Sequence, residues 1–128
     1  MKYAVGYTTG VYDMFHVGHL NKLKRAKEQC RHLIVGVSTD ELVENYKHKT
    51  PIIPFAERIE IVRAIRYVDE VVPQISMNKL EAWEKLKFDA LFHGSDWQNS
   101  DMYNRIIEQF SKVGVDVVFL PHTEGIIL

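Results

Sequence analysis

The chain has 128 residues, of which 46% are hydrophobic and 26% charged, and its formal net charge is −1. The length fits one domain, residues 1–128, of ordinary globular composition, and the charge gives no electrostatic basis for binding nucleic acid or an anionic membrane. A single cysteine, Cys30, excludes an internal disulfide, and the start Met1-Lys2-Tyr3 lacks a signal-peptide pattern, so we expect a cytoplasmic protein.

The first predicted elements are a strand and a helix joined by a short loop. Residues 3–9 are apolar and β-prone and end at Gly10, and a helix begins near Val17 or Gly18. Its apolar residues recur at near-helical spacing: Leu20, Leu23, Ala26 and Cys30. Its charged residues occupy the other face: Lys22, Lys24, Arg25, Lys27 and Glu28.

The rest of the chain alternates strands with amphipathic segments. A strand at 32–38 precedes a short helix opened by the capping-box spacing Ser38-Thr39-Asp40-Glu41, and a helix follows Pro54. Next come a strand at 68–72 ended by Pro73, a helix at 78–86 and a strand at 90–93. A helix marked by Met102, Ile106, Phe110 and Val113 and a strand at 115–120 complete the pattern. Within the helix after Pro54 we assign to the core face Phe55, Ile59, Ile61, Val62 and Ile65.

This alternation predicts an α/β fold with one doubly wound, five-stranded parallel sheet of Rossmann-like form. In such sheets ligands bind at the carboxyl ends of the strands, near the point where the strand order reverses. Neither G-x-G-x-x-G nor G-x-x-x-x-G-K-[ST] occurs in the chain. Their absence argues against a dinucleotide dehydrogenase and against a P-loop NTPase.

The loop between the first strand and helix carries the strongest functional signal. The N–H groups and positive dipole end of the helix favour an anion there. His16 and His19 lie three residues apart, so both can donate Nε2–H to the same phosphate oxygens. Gly10 and Gly18 lack a Cβ, which lets a ligand approach the backbone. The loop therefore predicts a site for the phosphates of a nucleotide.

Two other interpretations of the histidines remain open. Asp13, His16 and His19 have the spacing D-x-x-H-x-x-H, which suits a zinc or iron site. Alternatively, both histidines have only a structural role.

Residues 10–19, Gly-Val-Tyr-Asp-Met-Phe-His-Val-Gly-His, match the pattern G-x-[FY]-D-x-x-H-x-G-H. The chain thereby resembles the HxGH nucleotidyltransferases, the cytidylyltransferases in particular. Further matches favour the glycerol-3-phosphate branch: residues 38–41, 47–49, 57–58, 66–71, 94–97 and 122–126. The resemblance implies that CTP reacts with a small phosphorylated alcohol to give a CDP-alcohol and pyrophosphate. It also implies a homodimer, for which we expect residues 66–70 to form part of the interface.

The resemblance also implies roles for individual residues. His16 and His19 stabilise the α and β phosphates; Lys47, in a loop, faces the phosphate of the substrate, and Lys49 faces those of the nucleotide. Arg58 lies in the first turn of its helix, where a positive charge is unfavourable beside the positive end of the helix dipole. We therefore expect a ligand phosphate or Glu57 to compensate the charge of Arg58. The same argument applies more weakly to Lys79, early in its own helix. The predicted catalytic residues are His16, His19, Lys47, Lys49 and Arg58, and the predicted substrate-binding residues are Lys47 and Lys79. The predicted nucleotide contacts are Gly10, Val11, Tyr12, Asp13, His16, Gly18, His19, Lys49, Asp96, His122, Thr123, Glu124 and Gly125.

Mg²⁺ is the expected cofactor, bridging the triphosphate, with Asp13 orienting either the ion or a histidine. The end of the chain departs from the family pattern: His122 replaces an arginine, and Ile127-Leu128 replace hydroxyl residues. Val11 stands where the glycerol-3-phosphate enzymes tend to have threonine. Three alternatives follow: another phosphorylated alcohol such as phosphocholine or phosphoethanolamine, ATP in place of CTP, or a nucleotide-binding protein with little turnover.

Overall fold

In the computed structural model, which describes residues 2–95 and 99–121, a parallel sheet forms the centre of the fold. Its strands are β1 (Tyr3–Gly10), β2 (Cys30–Ser38), β3 (Glu70–Gln74), β4 (Ala90–Gly94) and β5 (Asp116–Leu120). They pair in the order β3-β2-β1-β4-β5. The order therefore reverses between β1 and β4, and this switch point is where a doubly wound sheet opens a crevice for ligands.

Helices cover both faces of the sheet. They are α1 (Val17–Lys27), α2 (Asp40–Lys47), α3 (Phe55–Arg63), α4 (Lys79–Leu86) and α5 (Asp101–Ser111). Side chains of α1 and α3 share one core cluster with Leu33 and Val35 of β2, whereas α4 and α5 share the other with Ile34. Because successive strand residues face opposite layers, a strand covered on both sides reads as a continuous apolar run. The predicted five-stranded, doubly wound parallel sheet is confirmed.

The strand boundaries differ from the prediction by one or two residues, most clearly at β2 and β3. Pro73 does not end the third strand but lies within β3, paired with Val37 of β2. Since β3 is an edge strand, the missing N–H of proline can face away from the sheet without breaking a ladder bond. Cys30 is buried, as expected, but it begins β2 and does not extend the apolar stripe of α1.

Two helix assignments also differ from the structure, Ile61 in α3 and Val113 after α5. Ile61 is 44% exposed, since Ile59 and Val62, three residues apart, occupy the inner face of α3. Of the residues that mark the last helix, Met102, Ile106 and Phe110 lie in α5, whereas Val113 lies beyond its end at Ser111. The buried residues of α5 are Tyr103 and Phe110.

At α2, the N-cap is Thr39, whose Oγ1 accepts from Leu42 N, while Ser38 belongs to β2. Lys47 was expected in a loop, but it is the last residue of α2, which ends where His48 adopts a left-handed φ of 57°. None of the helices in residues 2–95 and 99–121 is long and apolar enough to cross a bilayer.

Candidate active site

The first turn of α1 is capped by two histidines. His16 is the N-cap, and its Nδ1 accepts a hydrogen bond from Gly18 N at 3.0 Å. His19 reaches back, and its Nδ1 accepts from His16 N at 3.1 Å. This is a capping box in which imidazoles replace the usual hydroxyl and carboxylate. The cap holds both rings at the N-terminus of α1, where the helix dipole is positive.

The same two hydrogen bonds determine which ring nitrogen carries the proton. A nitrogen that accepts a backbone N–H cannot itself be protonated, so each neutral imidazole carries its proton on Nε2. The rings of His16 and His19 stack with centroids 3.9 Å apart and planes at 28°. Nε2 of His16 is buried and has no hydrogen-bond partner among the described residues. The two histidines thus provide adjacent N–H donors, and that of His16 needs an acceptor.

His19 is held in its neutral form. Burial, reinforced by the neighbouring His16 and Lys22, lowers the pKa of His19 to about 4, and Asp13 opposes this shift only in part. At neutral pH the ring is therefore an uncharged hydrogen-bond donor.

This pKa predicts a specific loss of stability in acid. The ordinary histidine pKa is 6.5, so between pH 6.5 and about 4 the unfolded chain binds a proton at His19 that the folded chain does not. The free energy of unfolding should therefore fall as the pH falls through this window, and His19 should contribute no pH dependence above it. Urea unfolding at pH 7, 5.5 and 4 measures the slope. His19→Asn, which keeps an acceptor for His16 N, should flatten the slope of unfolding free energy against pH. His48→Asn, at the exposed end of α2, is the control and should leave the slope unchanged. Equal slopes in the wild type and H19N would contradict the lowered pKa of His19.

The loop before α1 is strained and packed from within. Tyr12 and Met14 adopt left-handed φ angles of 55° and 49°, which cost roughly 1–2 kcal/mol each for residues with a Cβ. The Tyr12 ring is only 4% exposed and meets the His19 ring edge-on at a centroid distance of 5.5 Å. A Cβ on Gly10 would lie 2.9 Å from the Tyr12 ring. We expected Gly10 to make room for a ligand, but it makes room for the Tyr12 ring. Tyr12 was predicted to contact the nucleotide, but its side chain lies in the core beside His19.

Asp13 connects this loop to the segment before α3. Its carboxylate accepts from Ile52 N at 2.8 Å and from Ile53 N at 2.9 Å. Burial alone would raise the pKa of Asp13, but these hydrogen bonds and the nearby Arg58 charge together lower it. Among the described residues no group of three or more histidine, cysteine or acidic side chains is placed to hold a metal ion. The alternative metal site at Asp13, His16 and His19 is therefore not formed.

Arg58 connects the same loop to two other elements. The side chain has no exposed surface and forms an ion pair with Asp40 at 2.7 Å. Its other N–H groups donate to three backbone oxygens, those of Val11, Ser38 and Ile53. We expected a ligand phosphate or Glu57 to compensate Arg58, but Asp40 and these carbonyls do so. The contacts support a positioning role for Arg58, whose predicted catalytic role is untested.

The predicted lysines lie in different surroundings. Lys47 and Lys49 are exposed, and Nζ of Lys47 lies 5.6 Å from the centre of the Tyr46 ring. Lys79 is 5% exposed, and its Nζ donates to Thr9 Oγ1 at 2.8 Å.

Lys22, which we had assigned to the charged face of α1, instead points into the site and donates to Thr9 O at 2.9 Å. Its spacing from His16 and His19, three residues each time, is the signal that we missed.

Val11 and Gly18 take part through their backbones: Val11 O accepts from Arg58, and Gly18 N donates to His16. The other predicted nucleotide contacts lie outside the described residues: Asp96, His122, Thr123, Glu124 and Gly125. Their ligand contacts stay predictions.

Comparison with known proteins gives consistent matches. Residues 7–126 match the family model described as Cytidylyltransferase-like. The chain is 37% identical over 120 residues to glycerol-3-phosphate cytidylyltransferase of Staphylococcus aureus, covering 93% of this chain and 85% of the relative. It is 53% identical over 118 residues to FAD synthase of Thermococcus kodakarensis, covering 88% and 76%. A similar solved structure is the lipopolysaccharide core biosynthesis protein of Thermoplasma volcanium, with a TM-score of 0.78, 25% identity and coverage of 94% and 97%.

Proposed function

The chain belongs to the cytidylyltransferase-like family, and we propose that it transfers the cytidylyl group of CTP to glycerol 3-phosphate, releasing pyrophosphate. The observation that carries the reaction type is the histidine pair, with both Nδ1 atoms occupied by backbone N–H groups. The acceptor and nucleotide are supported by the match to the Staphylococcus aureus enzyme over 93% of the chain.

The chemistry needs no general base. A phosphate monoester, with a second pKa of about 6, is largely a dianion at neutral pH. One of its oxygens attacks the α-phosphorus of CTP in line. The bond from that phosphorus to the oxygen bridging to the β-phosphate breaks, and its electron pair leaves with pyrophosphate. Positioning and stabilisation of the developing negative charge then account for the catalysis.

His16 and His19 provide that stabilisation in the proposed reaction. Their Nε2–H groups donate to oxygens of the α and β phosphates, and the N-terminus of α1 adds a positive potential at the same place. The neutral state of His19 suits this role, because a hydrogen-bond donor is needed and no proton has to move. Asp13 and Arg58 act on the reaction through the loops that they hold.

Mg²⁺ belongs to the proposal as an ion carried by the triphosphate, where it neutralises charge. Asp13 does not fit well as its protein ligand, because both carboxylate oxygens already accept backbone N–H groups. We therefore assign Asp13 to holding the loop. The proposal also includes a homodimer with residues 66–70 in the interface; sedimentation equilibrium tests the dimeric state.

A second candidate is adenylyl transfer from ATP to FMN, favoured by the 53% identity to an FAD synthase. Pyrophosphate release with CTP or ATP, each combined with glycerol 3-phosphate, phosphoethanolamine, phosphocholine or FMN, separates the two. We expect turnover with CTP and glycerol 3-phosphate and a product with the mass of CDP-glycerol. Fastest turnover with ATP and FMN would replace the proposal with the second candidate. CTP binding without pyrophosphate release from any pair would identify a nucleotide-binding protein instead.

A further inference from the structure

Two lysines from opposite layers of the fold meet at the carboxyl end of β1. Lys22 comes from α1, and its Nζ donates to the backbone oxygen of Thr9 at 2.9 Å. Lys79 comes from the first turn of α4, on the other face of the sheet, and its Nζ donates to the Thr9 hydroxyl at 2.8 Å. Both ammonium groups therefore lie at one residue, next to the switch point of the sheet.

Neither lysine has a counter-ion among the described residues, whose ion pairs involve other side chains. An ammonium group has three N–H donors, and the bond to Thr9 uses one of them in each case. Burial lowers the pKa of Lys22 to about 8. Burial and the charge of Lys22 lower that of Lys79 to about 7. Two charged ammonium groups held together without an anion destabilise the free protein. A bound anion would offset both the cost of burying the charges and the repulsion between them.

The position of Lys22 relates this pair to the reaction site. His19 and Lys22 lie three residues apart on one side of α1, and the N-cap His16 stacks on the His19 ring. Lys22 is near enough to His19 to contribute to the lowering of its pKa. An anion held by Lys22 and Lys79 therefore lies beside the phosphates assigned to the histidines, where an attacking phosphate has to be.

Resting on the proposed nucleotidyl transfer, for which the resemblance already implies that Lys79 binds the acceptor, we infer that Lys22 is a second ligand of the acceptor's phosphate and contributes to selecting the acceptor. Two cations match the two negative charges of a phosphate monoester. The two lysines disfavour, by charge repulsion, an acceptor that carries an ammonium group close to its phosphate.

The cleft beside Lys79, between α4 and α5, agrees with this selection. The described residues that line it include no carboxylate; they are the apolar Met77, Leu80, Met102, Ile106 and Phe110 and the polar Asn78, Lys79, Arg105 and Gln109. A cationic head group would find no anionic partner there, whereas the hydroxyl groups of a polyol would find amide and guanidinium groups. The acceptor class is therefore the phosphate monoester of a neutral alcohol.

Steady-state kinetics of Lys22→Met and Lys79→Met test the inference. Methionine retains much of the lysine stem and removes only the charged end, and Lys24→Met, at an exposed position of the same helix, is the matched control. We expect the KM for glycerol 3-phosphate to rise about 10- to 100-fold in K22M and in K79M. The KM for CTP should change less than about threefold, and K24M should match the wild type on both.

A second readout concerns selection. The wild type should prefer glycerol 3-phosphate to phosphoethanolamine at least ~10-fold in kcat/KM, and K22M should lose most of this preference. Calorimetric titration of glycerol 3-phosphate into protein saturated with α,β-methylene-CTP, which cannot react, should show the same weakening without turnover. Wild-type turnover with an unchanged acceptor KM in K22M, or with an increase confined to CTP, would overturn the inference and leave the proposed function standing. A wild type that releases no pyrophosphate would instead refute the proposed function.

Discussion

Replacing His16 or His19 with asparagine should lower kcat by at least ~100-fold while leaving α1 intact. Removing one pre-positioned donor to a developing oxyanion typically costs about 2.7–4 kcal/mol of barrier, which corresponds to roughly 100- to 1,000-fold in rate. Asparagine has an acceptor oxygen close to the position of the histidine Nδ1, so it can take over the hydrogen bond from Gly18 N or from His16 N. It has no group at the position of Nε2. The substitution therefore removes the proposed donor and keeps the cap.

His16→Ala is the control that separates chemistry from folding. Alanine loses both the donor and the N-cap, and the loss of an N-cap costs about 0.5–2 kcal/mol of stability. We expect H16N to unfold at a urea midpoint close to that of the wild type and H16A at a clearly lower midpoint. The two variants should have equally low kcat values. Assays of pyrophosphate release measure kcat, and urea unfolding measures the midpoint. Turnover by H16N or H19N within about tenfold of the wild type would contradict the assigned roles.

The parts of this site that are readable from the sequence are those made within a few residues. The capping histidines stand at the N-cap and third helical positions, and the capping-box spacing brings their rings together. Lys22 lies three residues after His19 on α1, so helix geometry could have assigned it to the site. Lys22 was not recognised because its neighbours on α1 are also charged, and composition does not show which lysine side chain points into the site.

Contacts between distant segments could not be predicted in this way. Asp13 holds backbone groups 39 and 40 residues away, and Lys79 reaches Thr9 across 70 residues. Such pairs depend on how the strand order brings loops to the same edge of the sheet. The alternation of elements predicted the sheet and the edge at which ligands bind, but it did not predict which loops would be joined there. The compensation of Arg58 by Asp40 was missed for the same reason.

Arg58 should therefore matter most to stability. Arg58→Ala should lower the free energy of unfolding by about 3–5 kcal/mol, because it removes a fully buried donor and leaves several acceptors unsatisfied, each at a cost of about 1–3 kcal/mol where the acceptor is buried. It leaves Asp40 without its cation, and it leaves the backbone oxygens of Val11, Ser38 and Ile53 without their donor. These groups lie in separate segments, so the loss is spread over the loop before α1, the end of β2 and the approach to α3.

Arg63→Ala provides the matched control, because Arg63 lies on the same helix and also forms an ion pair, with Glu60, but its side chain is 53% exposed. An exposed pair contributes about 0–1 kcal/mol, so R63A should stay within about 1 kcal/mol of the wild type. Arg58→Lys should remain clearly destabilised, since one ammonium group cannot replace a fork that reaches four partners. Urea unfolding of the three variants measures the difference. If R58A lost no more stability than R63A, the buried arginine would not be what joins these segments, and its contacts with Asp40 and the backbone would have to serve the reaction alone.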